Sequence, residues 1–483
     1  MVIDALKYQI LQQFGFVPTE EQGQALDAFA RFLTDRDPDA VMILRGSAGT
    51  GKTSLSGAIV RTLKAIRQKV MLLAPTGRAA KVFSLNSGCP AYTIHRRIYR
   101  EKSFAGVDGQ FNLNDNLFTD TLFMVDEASM ISNLGLGGGN FGSGCLLDDL
   151  VRFVYQGHND RLMLIGDKAQ LPPVGEEESP ALNRMMLEGY GLKVYECDLN
   201  EVLRQSQESG ILYNATVIRQ MITHDDITQL PLIRFKGFAD IVMMPGNELV
   251  ESLANSYYRV GQDETMVITR SNKRANIYNN GIRNMVLDRE DELSCGDMLM
   301  IVKNNYFWTE KERNEAKEAL NAIPPFLANG DRAKVLRVSR HMELYGFRFA
   351  TLLLQFPDYD NYEMSVTALL DTLQSEAPAL THEQQEQLFH GVEEDYQDVS
   401  LKADRMKAIR GDQYFNALQV KYAYAITCHK AQGGQWEHVY VDQGYMTDDM
   451  LTPDYIHWLY TAFTRAKDKL FLVNWPKTQT EQA

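Results

Sequence analysis

The stretch Val41-Met-Ile-Leu-Arg-Gly-Ser-Ala-Gly-Thr-Gly-Lys-Thr53 decides the reading of this chain. Val41 to Arg45 is a short apolar run of the kind that forms a strand buried on both faces. Gly46-Ser47-Ala48-Gly49-Thr50-Gly51-Lys52-Thr53 then matches G-x-x-x-x-G-K-[ST], and a helical pattern follows from Lys52 to Ile66. In that context the glycines let backbone N–H groups face phosphate oxygens. The helix N-terminus adds partial positive charge. Lys52 reaches the β- and γ-phosphates, and the Thr53 hydroxyl can ligate Mg²⁺. The expected ligands are therefore ATP and Mg²⁺, with Gly46 through Thr53 as the nucleotide site.

Outward from this loop, the same strand grammar recurs. Val70–Ala74, Thr121–Val125 and Arg161–Ile165 are near-continuous apolar runs, each ending in a polar or glycine-containing segment. Further runs appear at Met266–Thr269, Tyr422–Ile426, Val439–Val441 and Leu470–Val473. Alternation of such runs with helical stretches predicts two parallel α/β sheets, with ligands at the carboxyl ends of the strands. Asp126-Glu127 closes the run ending at Val125. Two adjacent acids alone would read as a solvated turn. Beyond a phosphate loop they become a site, Asp126 holding Mg²⁺ through water and Glu127 acting as general base. Gln170, after the run 161–165, is placed to touch the γ-phosphate and the attacking water.

Bulk properties bound the rest. The chain has 483 residues, enough for about two to four domains. Hydrophobic residues make up 45% and charged residues 23%, an ordinary globular balance. No apolar run is long enough for a membrane span. The opening MVIDALKYQILQQF reads as an amphipathic helix rather than a signal peptide. The five cysteines are scattered without a C-x-x-C pair, which fits a reduced cytoplasm and argues against a disulfide framework or a zinc ribbon. A net charge of -14 argues against tight non-specific duplex binding, yet leaves room for a local groove that grips a single strand.

The order of motifs resembles superfamily 1B helicases of the RecD/Dda-like group. Thr19-Glu-Glu-Gln22 resembles the Q motif, 46–53 motif I, Ala74-Pro-Thr-Gly-Arg-Ala-Ala-Lys81 motif Ia, and Thr93-Ile-His95 motif Ib. Asp126-Glu-Ala-Ser129 resembles motif II, Leu164 to Val174 motif III, and Leu199 to Gln205 motif IV. Tyr424 to Gly433 resembles motif V, and Tyr460-Thr-Ala-Phe-Thr-Arg465 motif VI. The resemblance runs from about residue 16 to 475 and is patchy in the insertions. It departs at Gly434-Gln435-Trp436, where an amide stands in place of the family's usual glutamate.

This resemblance implies two RecA-like domains. The first spans 1–198, with a pin or wedge insertion at 99–119. The second is formed by 199–304 and 416–483, with 305–415 inserted as SH3-like strands plus helical segments. It implies adenine contact by Gln22 and arginine fingers at Arg204 and Arg465. Single-strand contacts would come from Pro75, Thr76, His95, Thr427 and His429, although each histidine taken alone reads equally as a buried, satisfied side chain. Phe104, Phe111 and Phe118 are candidates to stack at a fork, with core anchorage the stronger expectation for at least two. The segment 381–410 reads as solvated and acidic, and 135–144 as a mobile glycine-rich loop. The implied activity is 5′→3′ unwinding of duplex or forked DNA from a single strand, alongside repair, recombination or replication proteins. A DNA-stimulated translocase that does not unwind, and an RNA helicase, remain open beside it.

Overall fold

The computed structural model describes residues 2–104, 109–135, 142–202, 208–224, 227–315, 323–324 and 326–481. The first half holds β1 (Ala40–Gly46), β2 (Lys69–Ala74), β3 (Ala91–Thr93), β4 (Tyr99–Phe104), β5 (Gly109–Leu113), β6 (Thr121–Val125), β7 (Arg161–Gly166) and β8 (Lys193–Leu199). Six of these form one parallel sheet in the order β3-β2-β6-β7-β1-β8. All seven residues of β1 are buried, which explains the apolar run Ala40–Leu44, while Arg45 is paired with Asp198 (2.6 Å) and Glu196 (2.8 Å). The alternate residues Val41 and Ile43 pack in one core, Met42 and Leu44 in another. The sheet is therefore covered on both faces, and β1 delivers its C-terminal loop at an interior position.

The second sheet comprises β9 (Ile241–Met244), β10 (Thr265–Thr269), β16 (Ala425–Thr427), β17 (Trp436–Asp442) and β18 (Ala466–Val473), all parallel, in the order β16-β10-β17-β18-β9. Between β10 and β16 the chain builds a closed barrel of β11 (Met298–Ile301), β12 (Arg332–Leu344), β13 (Phe347–Phe356), β14 (Tyr362–Leu369) and β15 (Leu418–Tyr422). This corrects two expectations. The run 422–426 is not one strand: Tyr422 ends the barrel and Ala425 begins the sheet. Buried Asn279 holds the corner, accepting from the N–H groups of Tyr424 (3.0 Å) and Ala425 (2.8 Å) and donating to the Ala425 carbonyl (2.9 Å). The insertion limits 305 and 415 fall inside the barrel unit, because closure needs β11 to pair with β15.

The segment 381–410 is not merely solvated. Helices His382–Asp395 and Lys402–Arg410 bury Leu388, Val392 and Ile409 against Phe347, Phe349 and Leu369 of the barrel. The acidic outer face masked this apolar stripe. Leu388→Ala should cost about 2–5 kcal/mol locally. Hydrogen exchange should then lose protection over 382–410; unchanged protection would return the helices to the solvated reading.

The insertion at 99–119 carries the hairpin β4–β5, with Tyr99 opposite Leu113. Its base is tied down by the Tyr99 hydroxyl, which donates to Asp149 at 2.7 Å. Phe118 is a core anchor, edge-on to Phe123 at 5.5 Å and covered by the Arg97 guanidinium at 4.7 Å. The side chains of Phe104 and Phe111, and residues 136–141 of the glycine-rich loop, lie outside the described residues.

Candidate nucleotide and nucleic-acid site

The phosphate loop leaves β1 and enters the helix Lys52–Ala65. Gly51 sits at φ +80°, and a Cβ on Gly46 would lie 2.6 Å from Lys52 Cγ, so the tight return of Lys52 over the loop requires glycine there. Lys52 Nζ donates to the carbonyls of Gly46 and Ser47, the latter at 3.2 Å. Behind the loop, Gln22 is buried and doubly engaged. Its Oε1 accepts from the Thr19 N–H (3.0 Å) in a capping box, and its Nε2 donates to the Thr50 carbonyl (2.9 Å). In this structure Gln22 braces the loop from below.

The acid pair follows β6. Asp126 accepts from the Glu127 N–H at 2.9 Å, and its own N–H bonds the Leu73 carbonyl at 3.0 Å. Burial, then the neighbouring Glu127 charge, push the Asp126 carboxyl up to about 7, while Lys52 pulls the other way. Glu127 adopts a left-handed backbone at φ +52°. For a residue with a Cβ this costs about 1–3 kcal/mol, a strain that persists where the surrounding structure imposes it. Gln170 is 6% exposed, and its Oε1 has no hydrogen-bond partner among the described residues. A buried acceptor left unpaired needs an explanation, and a group supplied by a ligand or its water is one.

The second half of the chain touches this loop directly. Tyr460, on the helix Pro453–Phe463, accepts from the Ala48 N–H (3.0 Å) and donates to Asp167 (2.6 Å). Thr461 accepts from the Leu171 N–H at 2.8 Å, and Gln432 donates to the Leu171 carbonyl at 2.7 Å. Arg219 donates to the Ser47 hydroxyl. Sequence reading passed over Tyr460, although it opens the last motif, and gave no signal for Arg219. Arg465 differs from expectation. It is 2% exposed and donates to the carbonyls of Thr461 (3.0 Å) and Gly434 (3.1 Å) and to the Thr464 hydroxyl (3.1 Å), all in its own half. The structure does not bring it to the phosphate loop, because the helix end it follows offers carbonyls nearer at hand. Arg204 lies outside the described residues.

On the adjoining surface, Thr76 caps the helix Gly77–Ser87, accepting from the Ala79 N–H at 3.2 Å, with Pro75 just before it. Gly433, at φ +70°, approaches so closely that a Cβ would lie 3.1 Å from the Thr76 hydroxyl. Arg78 donates to the Gln435 carbonyl (2.7 Å) and covers the Trp436 ring at 4.5 Å. The departure at 434–436 therefore serves an inter-domain contact through backbone and indole. Thr427 opens the short helix Cys428–Ala431, and exposed His429 helps line a cavity of about 390 Å³ with Arg270, Asp454 and the segment Leu171–Glu176. The barrel closes one side, where Lys81 donates to the Pro357 carbonyl at 2.7 Å. His95 stands apart from this group, with its ring packed on Tyr99 at 5.6 Å and its imidazole held down to about 4, hence neutral, by burial.

A family model described as an AAA domain matches residues 19–220, and one described as a UvrD-like helicase C-terminal domain matches residues 422–473. The chain carries an AAA domain and a UvrD-like helicase C-terminal domain. Among similar proteins, uncharacterized protein MJ1519 of Methanocaldococcus jannaschii is 33% identical over 171 residues, covering 33% of this chain and 14% of that protein. The ATP-dependent RecD2 DNA helicase of Deinococcus radiodurans is 30% identical over 157 residues, covering 32% of this chain and 18% of that protein. The chain thus matches less than a fifth of the length of either, 14% and 18%. The crystal structure of a Bacteroides Pif1 helicase with ADP-AlF3 and ssDNA aligns over 97% of this chain and 95% of that one, at 14% identity and a TM-score of 0.46. The phosphate loop and Arg219 fall within the AAA match, and Gln432, Tyr460, Thr461 and Arg465 within the C-terminal one. Among the described residues, no helix is long and apolar enough to cross a membrane.

Proposed function

We propose that this chain is an ATP-driven DNA helicase that moves 5′→3′ on single-stranded DNA and separates duplex strands. The observation that carries the reading is the shared phosphate loop: Tyr460 and Arg219, on helices packed in the core of the second sheet, bond Ala48 and Ser47 beyond β1. A nucleotide held there must alter the contact between the domains, which is how hydrolysis becomes movement along a strand. The name of the Deinococcus relative, an ATP-dependent DNA helicase, supports DNA as the substrate.

The residues fit a magnesium nucleotide. Thr53 and Asp126 would hold Mg²⁺, which supplies charge neutralisation to the phosphates when bound. A partly buried carboxyl pushed upward by desolvation and by the Glu127 charge is one that a divalent cation would relieve. Among the described residues no group of three or more His, Cys, Asp or Glu could hold a metal. That suits an ion taking its remaining ligands from phosphate and water. Glu127 takes the proton of the attacking water, and Gln170 orients that water with its unpaired oxygen. Glu127→Gln should keep ATP binding and lower hydrolysis by about 10²-fold or more. Loss of binding, measured by equilibrium titration, would refute the base role.

Residues 1–198 form the first motor domain in this reading, 199–297 with 423–483 the second, and the barrel unit 298–422 one wall of the strand's path. Pro75, Thr76, Thr427 and His429 contact phosphates or a base without reading sequence, and His95 packs on Tyr99. Action in the cytoplasm beside repair, recombination or replication proteins follows from the same reading. The deciding experiment is strand separation with ATP and Mg²⁺ on partial duplexes bearing a 5′ or a 3′ tail. Unwinding from the 5′ tail alone supports the proposal in full. DNA-stimulated ATPase without unwinding would favour a translocase, and preference for strands with the 2′-OH an RNA helicase.

A further inference from the structure

The helix Gly210–Thr223 presents two adjacent stripes. Ile211, Ala215 and Ile218, at helical spacing, are buried in the core of the second sheet. Leu212 and Arg219, seven residues apart and so on one face, meet the phosphate loop instead. Leu212 Cδ1 would lie 3.2 Å from a Cβ on Gly49. Arg219 donates to the Ser47 hydroxyl and to the Asn200 carbonyl at 3.3 Å. The guanidinium is thus anchored in one domain and ends at the same residue whose carbonyl receives Lys52 Nζ.

A planar fork of five donors is poorly used by one hydroxyl and one carbonyl, whereas phosphate oxygens match it in charge and shape. Arg465 spends its donors inside its own domain. Arg219 already brings second-domain charge to the loop. We propose that Arg219 is a nucleotide-discriminating residue: with ATP bound, its guanidinium leaves Ser47 and Asn200 for the terminal phosphate, drawing the second domain onto a triphosphate and releasing it from a diphosphate. The inference rests on the loop being an ATP site, as proposed above, and adds a cation outside the motifs that suggested that site.

The test is equilibrium binding of a non-hydrolysable fluorescent ATP analogue and of fluorescent ADP to the full chain and to Arg219→Ala and Arg219→Lys. Arg219→Ala should weaken the ATP analogue by about tenfold to a hundredfold, the scale of a charge-assisted hydrogen bond. ADP affinity should stay within about twofold. Arg219→Lys keeps the charge but not the fork, so it should lose less, and again only for the triphosphate. It serves alone if the alanine variant does not fold. Equal weakening of both nucleotides would make Arg219 a structural brace for the loop, and unchanged affinity for both would remove it from the site; either overturns the proposal. Failure of the unaltered chain to bind either nucleotide would instead overturn the ATP-site reading.

Discussion

Lys52→Ala abolishes ATP turnover: this is the largest effect expected of any single change in the chain. The Lys52 ammonium opens the helix 52–65 and turns back over the loop to the carbonyls of Gly46 and Ser47. A triphosphate entering the loop gains this ammonium in exchange for two weak carbonyl partners. Without it, the phosphates meet only backbone N–H groups and the helix terminus, whose partial charge is about half a unit. Alanine is a strong helix former, so the helix itself should survive. The measurement is steady-state phosphate release with and without single-stranded DNA, beside a thermal melt. Near-normal turnover in a folded variant would sink the site assignment.

Arg465→Ala is the second large effect, a fall in hydrolysis of roughly 10³-fold, by the scale of other arginine fingers. The structure sharpens what this result would mean. Arg465 is buried on its own domain's carbonyls. To neutralise phosphate charge it must leave Gly434 and Thr461 when the domains close on nucleotide. A finger and a structural tie therefore separate cleanly. Loss of kcat with an unchanged melt identifies the finger. A lowered melt with less than about tenfold loss of kcat identifies an arginine that holds the end of helix 453–463 against the loop at Gly434. Arg465→Lys adds a check, because a lysine retains charge but cannot satisfy the same three acceptors.

Local chemistry made much of this molecule legible in advance. Strands β1, β6 and β7 are buried on both faces and β2 over its last three residues, so they were written as apolar runs, and their positions followed. The phosphate loop was legible because its backbone geometry favours glycine at 46 and 51, and phosphate charge calls for lysine at 52. The run 422–426 was not legible as parts of two elements. Barrel and sheet both bury β-branched and aromatic side chains, and the break at Ala423-Tyr424 carries neither glycine nor proline. Asn279, far away in sequence, makes that corner. The helical tendency of 381–410 was legible but its packing on the barrel was not, because a few apolar residues suffice when the rest of each helix faces water.

Within the candidate site, the sequence by itself determined which residue types were present: a cradle for phosphates, a lysine, an acid pair and a downstream glutamine, each written within a few residues of a strand end. Only the tertiary structure decided what meets across the cleft. It placed Tyr460 on Ala48, Thr461 on Leu171 and Arg219 on Ser47, and turned Arg465 inward. The physical reason is one of range. A loop's conformation follows from its own dihedrals and neighbours, whereas a hydrogen bond between residues some 170 to 410 positions apart depends on how two separately folded sheets are packed.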